Sequence, residues 1–197
     1  MKMAATAIIV LGVVAVLVVV LWPRIARAAM LKVGDVAPPI TTRMVAGDNI
    51  APFSLESYRG RRIVLYFYPK DDTPGCTREA CAFRDGYVMF ERAGIAVFGC
   101  SVDSANSHLA FIRKYKLPFA LLLDPERKIA TAYGAANGIP IIGLDKRITY
   151  VIGADGRILK VYPNVDPSSH AEQILRDIAA ENPATPKMSP ASSPTAH

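Results

Sequence analysis

The distribution of apolar and polar positions divides the chain into three parts. Residues 3–22 are uncharged and mostly aliphatic. Residues 31–180 alternate apolar runs with polar turns, which is typical of a globular domain. Residues 181–197 are rich in Pro, Ala, Ser and Thr and contain too little apolar surface to order themselves. We therefore predict an N-terminal hydrophobic segment at 1–30, one domain at 31–180 and a disordered tail at 181–197.

Two continuous apolar runs in the domain, residues 62–68 and 95–101, predict strands that are buried on both faces. Helical patterns follow them at 76–92 and 104–116. The other predicted elements, in chain order, are a loop before residue 62, a strand at 120–123, a helix at 126–133, a loop at 134–144, strands at 147–152 and 157–162 around an Asp-Gly turn, and a helix from Ser168 or Ser169 to about residue 180.

This order of elements predicts the fold class. A strand–helix–strand unit followed by an antiparallel hairpin and a closing helix indicates an α/β three-layer sandwich with a central mixed sheet. That is the thioredoxin-like arrangement. A single N-terminal hydrophobic helix is expected to precede it.

The N-terminal apolar run has the length of a membrane span. As a helix, residues 3–22 would extend ~30 Å, the thickness of a bilayer core. A signal peptide is the alternative, because Lys2 supplies a basic start and Ala26-Arg27-Ala28 resembles a cleavage site. The run exceeds the ~7–15 apolar residues of such peptides. We therefore predict a membrane anchor that is not cleaved.

Basic residues bear on the orientation of this anchor. Arg24, Arg27 and Lys32 follow the run and outweigh Lys2 before it, which favours a cytoplasmic over a periplasmic or secreted domain. Translation from Met30 would bypass the anchor.

The formal net charge of +6 does not indicate nucleic-acid binding. Residues 1–43 hold five basic residues and one acidic residue, whereas the remainder holds 18 basic and 16 acidic residues. A basic arm beside a membrane span explains this imbalance, and no stripe of aromatic and basic residues accompanies it.

The segment 69–81 contains the candidate chemistry. Cys76 follows a turn at the start of a predicted helix, and Cys81 comes five residues later. Backbone N–H groups and the helix dipole at that position favour the thiolate, which is the reactive form of cysteine. The Thr73 hydroxyl can reach the sulfur or a bound oxygen, and Pro69 can shield it from water. Cys76 is therefore a candidate nucleophile.

The spacing of the two cysteines limits how they can react. Across an intact helix their Cα atoms would lie ~8.6 Å apart, beyond the ~7 Å that a disulfide tolerates. We therefore predict that the first helical turns unwind after oxidation. The spacing also differs from the Cys-x-x-Cys of dithiol exchangers.

The remaining cysteine and the histidines suggest no metal or cofactor site. Cys100, at the end of a predicted strand, is interpreted as a buried core residue. His108 and His170 lie far from the cysteines in sequence and His197 lies in the tail, so each is expected to be a surface or partly packed side chain rather than a ligand.

These residues together resemble a peroxiredoxin. Residues 69–76, Pro-Lys-Asp-Asp-Thr-Pro-Gly-Cys, fit that family's Pro-x-x-x-Thr-x-x-Cys motif, and Cys81 fits the Q-type subgroup, also called bacterioferritin comigratory protein. The resemblance runs from about residue 31 to 180. It includes the opening segment 32–38, Asp124 after a short strand and Arg147 at the late hairpin.

The resemblance implies a thiol-dependent peroxidase with no metal and no bound cofactor. Cys76 would be the peroxidatic cysteine and Cys81 the resolving one, with a thioredoxin-like dithiol as reductant. Thr73 and Arg147 would hold the thiolate and the peroxide, and Pro69 would screen the pocket. Glu79 also fits the pattern and is assigned to helix support. A monomer is expected from the subgroup.

Two other functions remain open at this point. One is a membrane-tethered thiol–disulfide oxidoreductase acting on proteins, and the other is a copper metallochaperone on the same fold. Thr73 and Arg147 favour the peroxidase, because a peroxide pocket needs both and a protein disulfide exchanger needs neither. Hydrogen peroxide, organic hydroperoxides and lipid hydroperoxides are all candidate substrates.

Overall fold

The computed structural model describes residues 29–136 and 144–181. Within them, the strands are β1 (Thr41–Ala46), β2 (Asn49–Ser54), β3 (Arg62–Phe67), β4 (Ile95–Ser101), β5 (Ala120–Leu123), β6 (Ile148–Ile152) and β7 (Ile158–Tyr162). The helices are α1 (Pro74–Asp85), α2 (Tyr87–Arg92), α3 (Ala105–Tyr115), α4 (Lys128–Ala132) and α5 (His170–Glu181), with a 3-10 turn at Leu55–Tyr58.

The strands form one mixed sheet in the order β2-β1-β5-β4-β3-β6-β7. β3 pairs in parallel with β4, and β4 with β5, whereas the other pairs are antiparallel. The predicted mixed sheet is confirmed. Because β3 and β4 lie inside it and are covered on both faces, their sequences are continuously apolar, as the run at 62–68 predicted.

Alternate side chains of β3 enter two separate cores. Val64 and Tyr66 belong to the core under α1, α3 and α5, whereas Leu65 and Phe67 belong to the core on the α4 side. This places a helical layer on each face of the sheet. Tyr66 fixes α1 in position, since its ring stacks on Phe83 of α1 with centroids 4.7 Å apart.

Two predicted element boundaries are wrong. The stretch before residue 62 was expected to be a loop, but it contains the hairpin β1–β2 around Gly47, which has a positive φ of 55°. The single helix predicted at 76–92 is divided at Gly86 into α1 and α2. The Gly86 N–H donates to the Ala82 carbonyl at 3.1 Å and closes α1.

The predicted membrane localisation is corrected by the structure. Among residues 29–136 and 144–181, no helix has both the length and the apolar character needed to cross a bilayer. The membrane-anchored localisation predicted from the sequence is therefore not supported. The apolar run at 3–22, predicted as a helix, and the tail at 182–197 lie outside the described residues.

Candidate active site

Cys76 lies in the first turn of α1. Thr73 precedes the helix with extended backbone angles, and Pro74 occupies the first helical position, where its missing N–H and fixed φ are favourable. The first helical hydrogen bond runs from the Thr77 N–H to the Thr73 carbonyl at 2.8 Å. The N–H groups of Gly75 and Cys76 therefore have no acceptor within the helix. The Cys76 thiol, only 2% exposed, lies beside the positive end of the helix dipole.

Arg147 directly precedes β6, the strand that pairs with β3, and it reaches this thiol from there. Phe67 at the end of β3 pairs with Ile148 in β6, so the residue before Ile148 lies next to the loop that leads into α1. Arg147 Nη2 is 3.3 Å from Cys76 Sγ. A Cβ atom at Gly75 would lie 3.2 Å from the same nitrogen, so a larger residue would press on the guanidinium. Burial opposes the charged form of Arg147, but Glu79 and Cys76 outweigh it and raise its pKa.

Glu79 completes the site, although the sequence assigned it only to helix support. It follows Cys76 by three residues on α1, is fully buried, and accepts a hydrogen bond at Oε2 from Arg147 Nη1. Burial raises the pKa of Glu79 to about 7, against the opposing effect of Arg147. The spacing of three residues, which puts Glu79 on the helix face of Cys76, was the signal available in the sequence.

Cys81 lies on the same helix and is half-buried. Both cysteines are free thiols, and α1 is unbroken between them. The distance of ~8.6 Å between their Cα atoms that follows from helix dimensions therefore applies to this state. The two thiols are not brought into bonding distance.

Pro69 and Thr73 lie at the two ends of the loop between β3 and α1. Both are half-buried. The Thr73 hydroxyl donates to the Lys70 carbonyl at 3.0 Å and thus tightens the loop. The roles predicted for Pro69 and Thr73 toward peroxide stay predictions.

This loop is anchored by a buried carboxylate that the sequence analysis did not identify. Asp71 accepts hydrogen bonds from Tyr68 and Ser107, both at 2.7 Å, and lies 2.8 Å from His108 Nδ1. Ser107 and His108 belong to α3, so that helix holds the loop in place.

His108 and His170 are both fully buried, and the prediction of surface or partly packed histidines is wrong for them.

Cys100 is a core residue, as predicted. It is fully buried on the α4 side of the sheet, whereas Cys76 belongs to the opposite core. Burial raises the pKa of the Cys100 thiol well above its ordinary value, so this thiol stays protonated.

The Asp124 carboxylate accepts hydrogen bonds from the N–H groups of Ile129 and Ala130 at 3.1 and 2.7 Å and thereby caps the start of α4.

Comparison with known proteins connects this geometry to a family. The AhpC/TSA family model matches residues 33–161. A chloroplastic peroxiredoxin Q of Sedum lineare is 42% identical over 149 residues, which cover 75% of this chain and 78% of the relative.

Solved structures give the same result. A cysteine-to-serine mutant of Xylella fastidiosa PrxQ has a TM-score of 0.70 and 28% identity, and the match covers 78% of this chain and 98% of that one. A bacterioferritin comigratory protein of Xanthomonas campestris, described for its alkyl peroxide reduction activity, has a TM-score of 0.66 and 27% identity, with 72% and 91% of the two chains covered. The thioredoxin-like fold is confirmed. With its thiol, arginine and carboxylate gathered at the start of α1, the chain belongs to the AhpC/TSA family of peroxiredoxins, which are oxidoreductases with peroxidase activity.

Proposed function

We propose that this chain reduces hydrogen peroxide and organic hydroperoxides with Cys76 as the peroxidatic nucleophile. The observation that carries the proposal is the contact between Arg147 Nη2 and Cys76 Sγ, 3.3 Å, at the start of α1. A fixed guanidinium and free helix N–H groups both favour the thiolate over the thiol. The same donors stabilise negative charge that moves onto the departing oxygen.

The first step is a two-electron oxidation of sulfur. The Cys76 thiolate attacks one peroxide oxygen, so that an S–O bond forms as the O–O bond breaks. The other oxygen leaves with the electron pair and, after taking up a proton, becomes water or an alcohol. Cys76 is left as a sulfenic acid. Thr73 and Arg147 orient the peroxide in this scheme, and Pro69 keeps bulk water out; no metal or cofactor takes part.

The second step forms a disulfide. The Cys81 thiol condenses with the Cys76 sulfenic acid and releases water. Because the intact helix separates the two residues by ~8.6 Å between Cα atoms, this step requires the first turns of α1 to unwind. A thioredoxin-like dithiol then reduces the disulfide by exchange and restores both thiols. The monomer is the proposed functional unit, since both cysteines come from one helix.

The test is peroxide-dependent turnover of the full chain with a thioredoxin system. Cys76→Ser is expected to abolish turnover, because no other described cysteine lies beside Arg147. Cys81→Ser is expected to permit one oxidation without recycling. Cys100→Ala serves as the matched control and should retain turnover, since Cys100 lies in the opposite core.

The outcome also separates two classes of enzyme. Unchanged activity in Cys76→Ser would refute the site assignment. Absence of peroxide turnover together with rapid reduction of insulin would instead identify a protein thiol–disulfide oxidoreductase.

A further inference from the structure

Cys76 and Glu79 share a single cation. Arg147 contacts Cys76 Sγ through Nη2 and Glu79 Oε2 through Nη1. Both acidic groups are buried, with exposed fractions of 2% for Cys76 and 0% for Glu79. The second carboxylate oxygen, Glu79 Oε1, is buried and has no hydrogen-bond partner among the described residues. A charged carboxylate at this place is therefore only half satisfied.

Charge counting shows why this matters. If Cys76 and Glu79 were both ionised, the buried site would contain two negative charges and one positive charge. An uncompensated charge in such an environment is costly, and one of the two acids takes up a proton instead. With one ionised at a time, Arg147 balances the site.

Among the described residues, the titratable groups around this site do not supply the missing positive charge. Tyr66 of β3 interacts electrostatically with Glu79, and burial raises its pKa well above the ordinary value, so it is neutral. His170 of α5 lies near Arg147, and burial lowers its pKa to about 4, so it is neutral as well. Asp71 has its own partners in Ser107 and His108. The net charge of the buried site is thus set by Cys76, Glu79 and Arg147.

We propose that Glu79 is protonated while Cys76 is a thiolate, and that it ionises when Cys76 becomes a sulfenic acid, so that Arg147 balances one buried anion at each stage. This inference rests on the peroxidase function proposed above. Glu79 acts through Arg147 and is thus a positioning and charge-balancing residue. The pKa of about 7 that burial gives Glu79 is consistent with both protonation states being accessible.

The protons and electrons of this step balance. A thiolate, a neutral carboxyl group and a hydroperoxide become a sulfenic acid, a carboxylate and an alcohol. Sulfur is oxidised by two electrons and the peroxide is reduced by two. The proton lost by Glu79 equals the proton gained by the departing alkoxide, and this count is the same for direct transfer and for exchange through solvent. The net charge of the site does not change.

Infrared difference spectroscopy of the full chain tests the exchange of protonation directly. The Cys81→Ser background stops the reaction at the sulfenic acid. At about pH 7.5, above the pKa of about 7 that Glu79 has beside Arg147, the Cys76 thiolate keeps Glu79 protonated before the reaction. On addition of hydrogen peroxide, the carbonyl stretch of a protonated carboxylic acid should be lost and carboxylate bands should appear. The same experiment with Glu79→Gln should lack both changes. A spectrum without loss of the carboxylic acid band would overturn the proposal.

The pH dependence of the reaction with peroxide provides a second readout. The rate constant of Cys76 oxidation should fall above about pH 8, by about tenfold at pH 9, because Glu79, whose pKa of about 7 is raised further by the thiolate, then ionises and competes for Arg147. Glu79→Gln should not show this decrease. Coincident profiles of the two proteins would overturn the proposal even if Cys76 is active, whereas absence of any sulfenic acid at Cys76 by mass spectrometry would refute the proposed function itself.

Discussion

His170 illustrates how a residue without any sequence signal becomes part of the core that supports α1. Its ring packs edge-on against Phe83 and Tyr162, with centroids 5.7 and 5.2 Å apart. Its Nε2 lies 2.8 Å from Thr149 Oγ1, and its Nδ1 has no partner among the described residues. Burial lowers the pKa of His170 to about 4. The folded protein therefore holds this imidazole neutral.

The first residue-scale prediction is an acid-dependent loss of stability through His170. An ordinary histidine in the unfolded chain has a pKa of about 6.5, so between that pH and about 4 the unfolded state binds more protons. The free energy of unfolding should thus decrease as the pH falls through this window, by about 2 kcal/mol at pH 5. His170→Gln should lack that component, as measured by denaturant unfolding of both proteins at about pH 7.5 and about pH 5.

Subtracting the two proteins isolates this contribution. The raised pKa of Glu79 acts in the opposite direction, because the folded state then binds more protons than the unfolded state. It is present in both proteins and cancels. Equal pH dependence in the wild type and in His170→Gln would show that the buried imidazole has no part in acid stability.

At this scale, the sequence predicts the reactive thiol but not all of its partners. Cys76 and Cys81 are found from a local pattern, because one helix holds both. The contact of Arg147 with Cys76 joins residues 71 positions apart and depends on the register of β3 and β6. Only the family resemblance indicated Arg147. The pairing of Asp71 with His108 likewise depends on how α3 packs, and no local pattern encodes it.

At the scale of elements, buried strands were predictable and exposed ones were not. β3 and β4 are covered on both faces, so their sequences are continuously apolar. In β2 most residues are exposed or half-buried, and Pro52 lies in the strand at the edge of the sheet. Proline is tolerated in an edge strand, but in a sequence it normally indicates that a strand has ended. The sequence of the hairpin β1–β2 therefore predicts a loop.

The element-scale prediction concerns α1. Formation of the disulfide between Cys76 and Cys81 should raise the amide hydrogen exchange of residues 76–82, because the helix must unwind to join them. Phe83 is fully buried, stacks on Tyr66 and packs at a tilt against Phe90. We thus expect residues 83–85 to retain most of their protection. Exchange measured by mass spectrometry on reduced and oxidised protein provides the comparison.

Cys81→Ser is the matched control for this experiment. It is oxidised at Cys76 but cannot form the bridge, so its exchange over 76–82 should not rise to the same extent. Identical protection of the reduced and disulfide forms of the wild type would show that the helix does not unwind. The disulfide would then require some other backbone movement.

At the scale of the whole molecule, the sheet separates the reactive cysteines from the third one. Cys76 belongs to the core under α1, α3 and α5, and Cys100 to the core on the α4 side. A disulfide involving Cys100 would require the sheet to open, whereas one between Cys76 and Cys81 requires only the start of one helix to change. This division would confine the proposed redox cycle to one layer of the fold.

The last prediction is that the disulfide lowers the stability of the whole domain. A bridge across six residues restricts the unfolded chain little and contributes about 2 kcal/mol. Disulfide formation removes the Cys76 anion from Arg147, and unwinding the start of α1 separates Glu79 from it as well. A buried charge left without its partners costs about 3–5 kcal/mol. The difference favours the reduced form by about 1–3 kcal/mol. The midpoint of thermal unfolding should therefore be lower for the disulfide form than for the reduced protein. As a control, peroxide-treated Cys81→Ser keeps the helix and should unfold at a higher temperature than the disulfide form. A disulfide form with the higher midpoint would mean that the pair of Glu79 and Arg147 survives oxidation.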